Sequence, residues 1–132
     1  MLLLSVTASA EAARIGSAEA PRTSYLLHCA GCHRMDGGGM PPEVPGLAGR
    51  VGEYLELAEG RRYLVQVPGA AQSLLDDAAL AAVLNWILAE LGGESVGEGF
   101  EPFTAAEVRR HRRDPTVDVD ALRRRLQTEL GR

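Results

Sequence analysis

Between Asp76 and Leu91 the apolar residues Leu80, Val83, Leu84, Ile87, Leu88 and Leu91 recur at intervals of three and four. That spacing places them on one face of an amphipathic helix. Asp76 or Asp77 caps its start and Gly92-Gly93 ends it. A second patterned stretch opens at Thr104-Ala105-Ala106-Glu107, a capping box, and predicts a helix to about Arg113, broken by Asp114-Pro115. A last helix starts at Asp118 or Asp120 and runs to Leu130, with Leu122, Leu126 and Leu130 on one side. Val51 to Gly60 reads as a short helix. Gly37 to Gly49, with Gly37-Gly38-Gly39 and Pro41-Pro42, reads as loop, and Pro68-Gly69 as a turn. Period-2 alternation is absent, as is any internal repeat, so the expected fold class is all-α.

The two ends differ from the middle. MLLLSVTASAEA begins with Leu2-Leu3-Leu4 and offers Ala8-Ser9-Ala10 as a small-x-small cleavage site, the pattern of an export signal without a basic start. Residues 11–22 are small and polar. The expected division is therefore a signal peptide and linker over 1–22, a compact unit over 23–93, and a linker with a helical C-terminal extension over 94–132. No apolar run approaches the ~20 residues needed to span a bilayer.

Composition narrows the function classes. The net charge of −4 argues against a basic nucleic-acid binder. Residues 101–132 carry eight arginines against six acids, whereas residues 1–100 carry six arginines against twelve acids. The two parts can therefore attract each other, or the arginines can serve as a docking element. Every basic residue is arginine, which removes lysine as a metal ligand or Schiff-base former. Aromatics make up only 5% of the chain, a thin supply that leaves room for a prosthetic group to add apolar bulk. Neither a carboxylate pair, a nucleophile elbow nor a phosphate loop is present, so the chain does not read as an enzyme.

The chemistry lies in Cys29-Ala30-Gly31-Cys32-His33. A C-x-x-C-H run is an attachment site for c-type haem. Two thiols one helical turn apart reach the two vinyl groups of one porphyrin as thioethers, and the following imidazole becomes the proximal iron ligand. Small Ala30 and Gly31 let the backbone lie against the ring edge. A thioredoxin-type pair needs a βαβ pattern that is missing. A zinc site needs a second ligand pair, and the chain has only these two cysteines.

With that motif the chain resembles the class I c-type cytochromes, small electron carriers with one covalent haem c, over roughly Thr23 to Gly92. Tyr25 matches the aromatic of their N-terminal helix. Pro45 and Leu47, twelve and fourteen residues after His33, match the proline whose carbonyl takes the proximal imidazole N–H and the leucine that packs on the haem. Leu75-Asp76-Asp77 resembles the entry to their C-terminal helix, and Trp86 the aromatic that crosses the N-terminal one.

The chain departs from the family at the sixth iron ligand. Gln66-Val67-Pro68-Gly69 carries valine where the family has methionine, and no methionine follows Met40. Met40 is the candidate distal ligand, being more feasible than Met35. An open position and His111 are its alternatives, and Asn85 and Tyr63 are remote ones. The resemblance implies a periplasmic carrier passing single electrons between redox proteins such as a dehydrogenase and an oxidase. Two other readings remain: a haem-based binder of small ligands, motivated by Val67, and a cytochrome subunit of a larger dehydrogenase, motivated by the extension.

Overall fold

The computed structural model describes residues 20–114 and 118–132. The expected signal sequence lies outside the described residues. The described chain is helical, and its only β pairing is one isolated bridge between Met40 and Val44. A helix over 20–28 (α1) runs through Cys29 into Ala30–His33 (α2), so helix already begins before the expected boundary at Thr23. A 3-10 helix at Val51–Glu56 and helices at Gly60–Gln66 (α3) and Pro68–Ala71 (α4) lead to the long Asp77–Glu90 (α5). After a 3-10 turn at Gly93–Ser95 come Ala105–Arg113 (α6) and Val119–Glu129 (α7).

Three helix starts are fixed by local chemistry. Asp76, Thr104 and Asp118 each accept a hydrogen bond from the amide three residues on, satisfying a donor the helix itself leaves free. The expected single helix from Val51 to Gly60 is instead two elements. Gly60 explains the break, because a Cβ there would sit 1.5 Å from the Tyr54 carbonyl oxygen. Only glycine lets the 3-10 turn and α3 approach so closely. Pro68 occupies the first turn of α4, where its missing N–H costs nothing.

One core runs through all these elements. Tyr25 on α1 is fully buried and its ring lies 5.2 Å from that of Trp86 on α5. The C-terminal extension joins the same core. Phe103, Val108, Leu122 and Leu126 are buried with residues of α3 and α5. Asn85 holds the Phe103 backbone at both ends, donating to its carbonyl at 3.0 Å and accepting from its N–H at 2.7 Å. Arg61 lies 4.1 Å above the Phe103 ring and grips both carboxylate oxygens of Glu107 at 2.7 Å. Glu107 thus serves Arg61 from within the capping box.

Candidate functional site

The sequence builds the site from a turn, a loop and a carbonyl. Helix α2 stops at Arg34, whose φ of 66° is a left-handed conformation that reverses the chain directly after His33. The buried Tyr25 hydroxyl holds that reversal, donating to the Arg34 carbonyl at 2.6 Å. Gly39 then donates to the His33 carbonyl at 2.9 Å and takes a φ of 69°. A Cβ there would meet the Val44 oxygen at 2.6 Å, so glycine alone permits the loop to fold back on itself. The fold-back brings the Pro45 carbonyl 3.1 Å from His33 Nδ1.

That contact fixes the histidine chemically. A carbonyl can only accept, so Nδ1 carries the proton and Nε2 presents its lone pair, the state of a metal-ligating imidazole. Burial pushes the His33 pKa below its ordinary value, with the Pro45 hydrogen bond acting the other way. Burial and the neighbouring Cys32 raise the Cys29 thiol. Neither cysteine is in a disulfide; Cys29 is half-buried and Cys32 exposed.

Cys29, Cys32 and His33 line one cavity of about 390 Å³, a volume within the usual range for small-molecule sites. Pro45, Gly46 and Leu47 line it from the loop, and Val51, Tyr54, Tyr63 and Leu64 from the next elements. Val67, Pro68, Ala70 and Leu75 and the inner face of α5 (Leu80, Val83, Leu84, Ile87) add apolar surface. Val119, Asp120 and Arg123 of α7 complete the lining, which sequence patterning did not anticipate. Tyr54 and Tyr63 stack with ring centroids 5.0 Å apart, and burial pushes the Tyr63 pKa up to about 12. The Tyr54 hydroxyl is buried beside Tyr63 without a well-formed hydrogen bond, a polar group left for whatever fills the cavity. A largely apolar hollow with two thiols, an oriented imidazole and an orphan hydroxyl suits a large apolar prosthetic group with polar substituents.

The other candidates fall elsewhere. Met40 is half-exposed and outside the lining, tied to Val44 by two 2.9 Å backbone hydrogen bonds on the loop that presents Pro45. Met35 is more exposed still. His111 is mostly buried against Glu107 at 3.7 Å, also outside the lining. Asn85 is committed to Phe103. His28 lines the cavity as an exposed residue beside Cys29.

An all-α fold in which a C-x-x-C-H turn and a proline carbonyl meet at one apolar cavity defines a c-type cytochrome. The chain is 35% identical to a cytochrome c-552 of Thermus thermophilus, over 86% of this chain and 88% of the relative. It is 36% identical to a second Thermus thermophilus cytochrome c-552, over 85% of this chain and 99% of that one. No family model matches the chain. The chain belongs to the class I c-type cytochromes. It is a haem c electron-transfer protein, and its partners are redox proteins. No helix among the described residues is long and apolar enough to cross a membrane.

Proposed function

We propose that Cys29 and Cys32 hold the haem as thioethers, that His33 is its proximal iron ligand, and that Pro45 and Leu47 support that side. The observation that carries this reading is the His33 Nδ1 to Pro45 carbonyl contact on a cavity wall shared with both cysteines. When bound, the haem supplies a one-electron ferric/ferrous couple. The chain does the rest. Pro45 keeps the imidazole from rotating, and the apolar lining excludes water and sets the local dielectric. The exposed Cys32 edge leaves a side open to approach by a partner.

Residues 23–93 form the haem-holding unit in this reading, and the described residues of 94–132 a cover folded onto it. The chain is exported and works in the periplasm, where it passes electrons between a dehydrogenase and an oxidase. The acidic balance of residues 1–100 suits a partner with a positive patch. The extension's own arginines are largely spent within the chain: Arg109 and Arg112 reach Asp77, Arg125 reaches Glu59, and Arg132 reaches Glu53. Arg123 donates to the Pro42 carbonyl at 3.1 Å.

Voltammetry of the holoprotein tests the reading. A single reversible one-electron wave is expected, lost in a Cys29→Ser/Cys32→Ser double variant. A wave that survives the double substitution unchanged would place the redox centre elsewhere.

A further inference from the structure

We propose that, among the described residues, His33 is the one that would ligate the iron, and that the cavity would accept a small neutral exogenous molecule as a further ligand. The proposal rests on the haem site described above. It starts from the donor atoms that line the cavity. Among the described residues that line it there is no methionine, and its only sulfurs belong to Cys29 and Cys32. Met35 and Met40 are 72% and 48% exposed, and the Val44 bridge pins Met40 to the loop on His33's own side. Val67 stands in the lining, with the short helix Pro68–Ala71 directly behind it.

Among the remaining heteroatoms the Tyr54 hydroxyl is unpaired, but it lies beside Tyr63 as a phenol O–H, a weak donor to iron. The others are poor ligands or already used. Tyr63 is held protonated by burial, and a neutral phenol binds iron weakly. The Ser73 hydroxyl donates to the Ala70 carbonyl at 2.9 Å and accepts from Arg112 at 3.2 Å. Glu43 and Asp120 are exposed, and Arg123 is occupied by loop carbonyls. His28 is exposed and directly precedes Cys29, whose bond to the ring edge would leave its imidazole poorly aimed at the iron. Leu64, Val67, Leu80, Val83, Leu84 and Ile87 offer only hydrocarbon. A small, weakly polar uncharged ligand meets far less desolvation cost in such a lining than an anion does.

The test uses holoprotein from a haem-maturation host, first checked by mass for one covalent haem so that loss of the haem site and loss of this proposal stay distinguishable. Carbon monoxide is the probe; its carbon lone pair bonds to ferrous iron with no change of oxidation state. Expected are a high-spin ferric spectrum without the far-red thioether band, and a carbon monoxide rate that rises linearly with concentration. A Met35→Leu/Met40→Leu double variant should give the same spectrum and rate, and a His28→Ala variant the same high-spin spectrum. A low-spin ferric spectrum, or a rate that saturates with carbon monoxide because a side chain must first leave, would overturn the proposal. The variant that abolishes such saturation would name the side chain.

Discussion

A chain cut after Gly99 loses its cooperative fold. The cut removes Phe103, Val108, Leu122 and Leu126, none more than 6% exposed, and uncovers their partners on α3 and α5. Burial of each large apolar side chain stabilises by about 1.5–3 kcal/mol. Together these losses rival the whole stability of a small domain, about 5–15 kcal/mol. The bond between Asn85 and the Phe103 backbone and the Arg61–Glu107 grip vanish as well. Helix content by circular dichroism should be low, with no sharp thermal transition in the truncated holoprotein. A sharp transition close to that of the full chain would show the extension to be a separable module.

Arg112→Leu comes next in size. The guanidinium of Arg112 donates to the carbonyls of Leu75 at 2.8 Å, Ala70 at 3.2 Å and Ser73 at 3.3 Å, and to Asp77 at 3.2 Å. It ties α6 to the end of α4 and to the turn that leads into α5, and Ala70, Ser73 and Leu75 there line the cavity. Leucine keeps much of the bulk but leaves those acceptors without a charged donor. Hydrogen bonds to charged groups contribute about 1.5–3 kcal/mol each, non-additively, so a loss of roughly 2–4 kcal/mol in a denaturant titration is expected. Asp77→Asn should cost less, since the carbonyl bonds survive it.

Acidity provides a check on the same contact. Hydrogen bonds from Arg112, then from Arg109, hold the Asp77 pKa below its ordinary 3.8. A carboxylate depressed in the folded state contributes fully above its unfolded pKa, and that contribution disappears as pH falls below about 4. The stability lost on acidification should therefore be smaller in Arg112→Leu than in the parent. Equal acid sensitivity in both proteins would remove Asp77 as the partner that matters.

What sequence can and cannot reveal follows from range. The starts of α5, α6 and α7 are legible because a cap is a contact over three residues. The all-α class and the run Cys29 to His33 are legible for the same reason, being local in sequence. The spacing from His33 to Pro45 is readable only through resemblance, because the fold-back depends on Gly39 and on the left-handed Arg34. Helix α3 escapes sequence patterning. It begins at a glycine with no side-chain cap, and a close backbone approach dictates it. The extension's place on the cavity is hidden too, since Arg112 meets residues far back in the chain. Eight arginines in a terminal segment do not say which carbonyls they will find.

The most direct measurement is the mass of holoprotein made with a haem-maturation system, followed by peptide mapping. Expected is one haem added to the chain, carried on the peptide that contains Cys29 and Cys32. A chain of unchanged mass, or one in which Cys29 and Cys32 form a disulfide while haem washes away in acid, would contradict the assignment.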